Sequence, residues 1–584
     1  MLTPASTASS SRRSPLTRRR PPGSSPSSSG RTRPRRARRK SASWRDGEEV
    51  MPAIIPASAP GEGGHARPRK TRATRPAATP ASLGGDHKTP QAPGGPAVTT
   101  RPRPALLDAD VQGFFVDGAQ VAPRSPDVFA TVDPTTEQVL THLGVATPEE
   151  VDGAVRAART AFETWSDTPA ARRAGVLLQI ADVVEAHREE LATLDALDMG
   201  VPVAGARMMV DHAVQVYRHY AGWPTKLTGH TAPGGAPGQL LYTLRQPIGV
   251  VASIVAWNGP VLQTSWKLAP ALAAGNTMVL KPSEHSSLSA LRLAQLLAST
   301  DLPPGAVNVV TGTGAVTGQA LVSHPGVDKV SFTGSGPVGK GIVRTGADTL
   351  KRVTLELGGK SPVIVLPDAD LEAAAAGAAA GFCLGTGQAC VAGTRIFVHD
   401  SVREEFGAHL SDALGRFTPG DPFEESTTMG PLAFRAHLDR VTGYFAVAEE
   451  EGARITRGGG RLDRTGYFVA PTLVEGVRND MRIAREEVFG PVAALLGYTD
   501  PEDALRQAND TTYGLSASVW TRDLSTAHRF ASRLQAGTVW VNTWGGIEPG
   551  PVPFGGFKQS GLGREHGPDA LLAYTEEKTV SIQL

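Results

Sequence analysis

Cysteine is nearly absent from this chain. Its 584 residues hold two, Cys383 and Cys390. A pair seven positions apart builds no disulfide framework and fits a reducing compartment, so a cytoplasmic setting is expected. Long apolar runs are missing as well. The stretch 248–257 is among the longest and is too short to span a bilayer as a helix, so no membrane partner is expected. The 14 histidines show no metal-ligand spacing with cysteine or acids, which argues against a metal site. What is also lacking is a real charge balance. The net charge of +2 hides a head, residues 1–105, with 21 Lys/Arg against 5 Asp/Glu, and a body with 38 against 52. An acidic body does not attract nucleic acid.

The head is dense in Arg, Pro, Ser and Gly and poor in aliphatics. It cannot bury enough surface to offset chain entropy, so residues 1–105 are expected to be disordered. Its basic run from Arg31 to Lys40 could touch an anionic surface. Its lack of acids before Asp46 fits a transit peptide, although its prolines do not. The reading preferred here is a non-functional extension, with Met51 as one alternative start.

Folded sequence is expected from about residue 113. Thr147-Pro148-Glu149-Glu150 reads as a helix start with a capping box, and a second helix is expected over 170–194. From 248 onward, apolar β-branched runs at 248–256, 277–280, 307–310 and 329–332 alternate with helical stretches at 287–299 and 315–322. That alternation predicts a parallel α/β sheet, whose ligand-binding edge lies at the carboxyl ends of its strands.

Phe332-Thr333-Gly334-Ser335-Gly336-Pro337-Val338-Gly339 follows a predicted strand and opens a predicted helix, in the form G-x-G-x-x-G. Glu356 lies 17 residues beyond Gly339, near where a dinucleotide fingerprint places its ribose-binding acid. That assignment is set aside, because Glu356 leads Leu357-Gly358-Gly359-Lys360-Ser361-Pro362, where the glycine pair implies a close approach. Downstream, Gly387-Gln388-Ala389-Cys390 presents a thiol. A thiolate can attack a carbonyl carbon, and a carboxylate can activate the water that releases the acyl group.

With these motifs, Glu486-Glu487-Val488-Phe489-Gly490-Pro491 and Pro553-Phe554-Gly555-Gly556-Phe557-Lys558, the chain from about 113 to 584 resembles the NAD(P)-dependent aldehyde dehydrogenase superfamily. The resemblance implies an α/β fold. It would have a parallel-sheet, Rossmann-like cofactor domain (113–227 and 248–358), an α/β catalytic domain (359–572) and a small oligomerisation ribbon (228–247 and 573–584), and so a homodimer or homotetramer. It implies that Cys390 is the nucleophile, Glu356 the general base and Asn258 the side-chain donor to an oxyanion, with Lys267 in the catalytic tunnel. It places Trp257, Lys281, Glu284, Gly334, Ser335, Glu487 and Phe489 on the cofactor, and Gln263, Trp266 and Val391 in the substrate pocket. Two departures stand out. Ala256 precedes the Trp257-Asn258 pair where the family commonly has proline, and Gly259 follows it where an aromatic is common, so a roomier pocket is expected.

The implied reaction oxidises an aldehyde to its carboxylate with NAD, through a thiohemiacetal and a thioester on Cys390. Glu284 favours NAD, since an acid near the ribose 2′ position repels a phosphate, and NADP stays open. Lys267, a helix dipole or the cofactor ring is expected to help ionise Cys390. The alternatives are an acylating enzyme that passes the thioester to coenzyme A, and an NAD-independent cysteine esterase.

Overall fold

The computed structural model describes residues 101–546 and 550–584. The expected disorder of the head falls, up to residue 100, outside the described residues. Residues 101–105 are ordered. The Arg101 guanidinium bonds Asp421 at 2.7 Å and pairs with Asp133, so the folded chain begins ahead of the boundary expected at 105.

Two large sheets carry the molecule. The first has eight strands, in the spatial order Gly561–Leu562, Arg352–Glu356, Lys329–Thr333, Val250–Ile254, Thr277–Lys281, Val307–Val309, Phe114–Val116, Ala119–Val121. The five strands from Arg352–Glu356 to Val307–Val309 run parallel. Every residue of Val250–Ile254, Thr277–Lys281 and Lys329–Thr333 is buried, which is why these segments read as unbroken apolar runs instead of alternating ones. The sheet is nevertheless mixed. A hairpin at one edge and Gly561–Leu562 at the other join antiparallel. These strands were not legible, because two or three residues carry no periodicity.

The second sheet has seven strands, Arg454–Arg457, Thr472–Glu475, Val492–Tyr498, Arg395–His399, Pro362–Val365, Ser516–Trp520 and Thr538–Val541, parallel except for the first pair. A three-stranded ribbon pairs Thr575–Gln583 with Gln239–Pro247 over nine residue pairs and adds Thr231–Ala232. No helix among the described residues is long and apolar enough to cross a membrane.

The Pro148–Trp165 helix starts as the sequence predicts. Thr147 Oγ1 accepts from Glu150 N at 3.3 Å, and Glu150 Oε2 accepts from Thr147 N at 2.9 Å. Thr147→Ala is expected to lower stability by about 1 kcal/mol, read as a lower urea midpoint; an unchanged midpoint would mean that the cap is dispensable. The single helix expected over 170–194 is instead two, Ala170–Ala186 and Arg188–Met199. His187 leaves helical geometry at ψ 22°, and its Nδ1 takes the Val183 carbonyl at 2.9 Å. The 315–322 helix begins as one wide turn, Gly314–Gly318, before Gln319–Ser323.

Candidate active site

Four neighbouring parallel strands end side by side. Thr333 pairs with Glu356, Phe332 with Ile254, and Ile254 with Lys281. Glu356, Gly334-Ser335, Trp257-Asn258 and Lys281–Glu284 therefore all leave one sheet edge, the carboxyl edge where open α/β sheets bind ligands.

Cys390 is brought to this edge by a turn of high backbone strain. After the Leu371–Cys383 helix, Gly385, Thr386 and Gly387 are all left-handed, with φ of 58°, 60° and 69°. Thr386 holds a conformation that costs a side-chain-bearing residue about 1–2 kcal/mol, anchored by its hydroxyl donating to the Gly430 carbonyl at 2.9 Å. Gly387 has no alternative, since a Cβ there would lie 2.2 Å from the Gly490 carbonyl oxygen. The glycine pair after Glu356 answers to two close approaches. A Cβ on Gly359 would sit 2.3 Å from the Cys390 carbonyl oxygen, and one on Gly358 would sit 2.0 Å from the Glu487 carboxylate.

Asn258 Nδ2 donates to the Gln388 carbonyl at 2.8 Å, and Asn258 Oδ1 accepts from Gln263 Nε2 at 2.9 Å. Gln263 Oε1 in turn accepts from Ala256 N at 2.9 Å. This chain of bonds fixes which way the Asn258 amide faces. Its other N–H is left over, with the amide tied to Gln388, two residues before Cys390. Val391 is anchored by its carbonyl, which accepts from Trp544 Nε1 at 3.3 Å.

Burial, then the carboxylates of Glu487 and Glu356, push the Cys390 thiol well above its ordinary range; the backbone N–H groups of Val391 and Cys390 itself pull the other way. Lys267, one of the three groups named as able to help ionise the thiol, has another partner. Lys267 is fully buried and paired with Glu565. Glu356 is raised as well, by burial first and then by Glu565, against Lys267 and Arg564. Its Oε2 is buried without a hydrogen-bond partner, and a Cβ on Gly555 would lie 2.6 Å from its Oε1. Lys329 joins the same buried group, its ammonium 4.9 Å from the Tyr574 ring centroid. Burial and then Lys267 lower its pKa to about 7.

The residues expected on a dinucleotide form a cradle that fits one. Lys281 Nζ reaches Glu284 Oε2 at 3.1 Å and the Pro282 carbonyl at 3.0 Å, and Glu284 Oε1 accepts from Gly314 N at 3.2 Å. Burial opposes ionisation of Glu284, but Lys281 and the surrounding groups hold its pKa down to about 2. It stands as a fixed anion suited to ribose hydroxyls. Ser335 precedes the Gly336–Gly346 helix with no side-chain cap bond, and the space beyond Gly336 is open, which suits a phosphate. Gly334 cannot carry a side chain, since a Cβ would strike the Phe332 ring at 1.5 Å. Glu487 Oε1 accepts from Gly359 N at 2.8 Å. Phe489, left-handed at φ 65°, meets Trp257 edge-on at 5.4 Å. His437 Nε2 donates to its carbonyl at 2.8 Å.

The structure thus places Glu356, Trp257, Asn258, Lys281, Glu284, Gly334 and Ser335 at one sheet edge, brings Glu487 to Gly359 and Phe489 to Trp257 from the second sheet, and packs Cys390, Val391 and Trp266 in one core cluster, with Gln263 bonded to Asn258 and Lys267 paired with Glu565. Sequence reasoning missed Glu565, Lys329 and His437. Glu565 stands in Gly563-Arg564-Glu565 with no local signal, and Lys267 lies 298 positions away. Lys329 read as an ordinary strand residue. Among the described residues no group of His, Cys, Asp and Glu could hold a metal ion.

The model of the Aldehyde dehydrogenase family matches residues 121–580. DhaS of Bacillus subtilis is 43% identical over 485 residues, covering 82% of this chain and 97% of that protein. An aldehyde dehydrogenase of Bacillus cereus, solved in complex with NAD+, superposes with a TM-score of 0.80 at 44% identity, covering 82% of this chain and 98% of that one. The indole-3-acetaldehyde dehydrogenase AldA of P. syringae, solved with NAD+ and IAA, gives 0.80 at 39% identity over the same shares.

Proposed function

This chain belongs to the aldehyde dehydrogenase family, and on that premise we propose that it oxidises an aldehyde to the carboxylate with NAD, through a thioester on Cys390. The observation that carries the reading is the pairing of a buried thiol with the buried, partnerless Glu356 Oε2. The solved NAD+ complexes of relatives support the choice of cofactor. When bound, NAD supplies the hydride acceptor.

The steps assigned to this chain are as follows. Cys390 gives up its proton to solvent water, and the thiolate Sγ adds to the carbonyl carbon. The resulting oxyanion is held by the free Asn258 N–H and the backbone N–H of Cys390, and losing one such donor typically lowers the rate about 10²–10³-fold. Collapse of the adduct expels a hydride and leaves a thioester. Glu356 then takes a proton from water, the hydroxide adds to the thioester carbon, and the C–S bond breaks to release the acid and restore Cys390. The test is a panel of aldehydes with NAD, following NADH and acid without coenzyme A. Hydrolysis of an ester such as 4-nitrophenyl acetate without NAD, with NADH from no aldehyde, would favour an esterase. A dependence on coenzyme A would favour the acylating reading.

Glu284 sets the cofactor preference in this reading. Glu284→Gln is expected to raise the NADP-to-NAD ratio of kcat/KM about tenfold or more, because a fixed charge facing the 2′ phosphate is removed; an unchanged ratio would remove Glu284 from that role. The ribbon exposes Leu240, Leu244 and Ile582, which fits a homo-oligomer closed through it, to be measured by light scattering. Both cysteines are free and buried, which suits a reducing, cytoplasmic setting.

A further inference from the structure

One short stretch of chain, 430–444, ties the turn that carries Cys390 to the residues expected on the nicotinamide end of the cofactor. Its first part leads into the Arg435–Glu450 helix. The Gly430 carbonyl accepts from Thr386 Oγ1 at 2.9 Å, and Ala433 N donates to Gln388 Oε1 at 2.9 Å. These two bonds hold the left-handed turn on either side of Gly387. The helix then takes hold of the segment 486–490. His437 Nε2 donates to the Phe489 carbonyl at 2.8 Å, Arg440 Nη2 to the Glu487 carbonyl at 2.7 Å, and the Tyr444 hydroxyl to the Glu486 carboxylate at 2.7 Å. Positions 437, 440, 441 and 444 share one helix face. Val441 on that face leaves no room for a side chain at Gly490, where a Cβ would lie 2.8 Å from it. The circuit closes at the same glycine, because its carbonyl oxygen is the atom that excludes a Cβ at Gly387.

Of these bonds, the one from His437 bears most directly on the cofactor. Phe489 is left-handed at φ 65°, a conformation that strains a residue with a side chain and persists only where its surroundings over-determine it. His437 supplies the donor to its carbonyl. The residue is 1% exposed, and its ring lies 5.2 Å from that of Trp257, which Phe489 meets edge-on. A carbonyl only accepts, so Nε2 carries the proton. Burial lowers the pKa to about 3, and the ring is therefore neutral near pH 7. A packing role alone would not need this bond, since an apolar side chain fits a buried site without one.

We propose that His437, helped by Arg440, is a positioning residue for hydride transfer: through the Phe489 carbonyl it sets where the Phe489 ring, and the nicotinamide against it, stand relative to Cys390. The inference rests on the reading that puts Glu487 and Phe489 on the nicotinamide end of NAD. Neither His437 nor Arg440 is assigned any proton or bond of the reaction. Their part is to hold the acceptor ring at a fixed distance from the carbon carried on sulfur, and a misplacement of about 1 Å can slow a reaction about a hundredfold.

The test sets His437→Leu, which removes the donor and keeps an apolar side chain against Trp257, beside His437→Gln, which keeps an N–H. NAD and AMP are titrated by protein fluorescence, and the NADH burst is followed by stopped flow. AMP reaches only the end of the cradle at Lys281 and Glu284. In His437→Leu the Kd for NAD is expected to rise about five- to tenfold, as for the loss of one net hydrogen bond. The burst is expected to slow about tenfold or more, with the Kd for AMP unchanged. His437→Gln is expected to recover both to within about threefold of the parent. Arg440 is half-buried, so Arg440→Met carries the same test if His437→Leu does not fold, and should move NAD affinity and burst the same way. His437→Gln no better than His437→Leu would point to packing and overturns the proposal. So does an AMP affinity that falls in step with that for NAD, or NAD affinity and burst that stay at the parent's values in His437→Leu and Arg440→Met. Phe489→Leu with both readouts unchanged overturns the placing of Phe489 on the cofactor instead.

Discussion

Cys390→Ser should leave a folded protein that binds NAD and releases essentially no NADH. A fall of about 10⁴-fold or more is expected when the sole nucleophile is lost. The hydroxyl nearly matches the sulfur in volume, so the buried turn at 385–387 keeps its packing, and NAD titration by protein fluorescence serves as the control. NADH release within tenfold of the parent would remove Cys390 from the reaction. The parent carries a pH signature of the same group. Burial and the carboxylates of Glu487 and Glu356 raise the thiol, and the reactive form is the thiolate. The first-turnover burst should therefore slow as pH falls, by about tenfold per unit where the thiol is mostly protonated. A burst rate that is flat across neutral pH would show that something in the complete site ionises the sulfur.

Glu356→Gln should separate the two halves of the cycle. Hydride release is expected to survive as a burst of about one NADH per Cys390. Steady turnover should drop about 10²–10⁴-fold for want of a base. Mass spectrometry of the quenched variant should find the acyl group on Cys390. Unaltered steady turnover would sink the assignment. The variant also has a stability signature. Burial lifts the folded pKa of Glu356 above its unfolded value, so its contribution is fully present below the unfolded pKa and is lost as pH rises through the folded one. Glutamine has no proton to lose, so the melting temperature of the variant should fall less than the parent's on going to alkaline pH.

Much of this was readable along the chain. Four of the five parallel strands of the first sheet showed as β-branched apolar runs because both of their faces are covered, while Arg352–Glu356, which starts exposed, did not. The Thr147 cap was visible because its partners lie within three residues. Cys390, Glu356 and Asn258 each sit in a short motif that is contiguous in sequence, although the contacts that require its glycines, Gly387 against Gly490 and Gly358 against Glu487, come from distant segments. The misses share a different origin. His187 breaks a helix whose propensity alone would carry it through, leaving helical geometry at ψ 22° although its backbone N–H still bonds the Val183 carbonyl. Glu565 becomes the partner of Lys267 only when positions 298 apart are brought together. His437 reads as an ordinary histidine until the same closure sets it against the Phe489 carbonyl.

The sequence by itself determined which reactive groups exist here and in what order: one motif-borne thiol, one acid ahead of a glycine pair, one amide after a buried strand, and an alternation of strands and helices able to present them. The tertiary structure alone decided what state those groups are in. It pairs the Lys267 ammonium with Glu565 and raises both Cys390 and Glu356. Bond-forming capacity belongs to a side chain and its neighbours in sequence. Ionisation and pairing depend on desolvation and on distances of a few ångströms between groups hundreds of residues apart, and folding sets those.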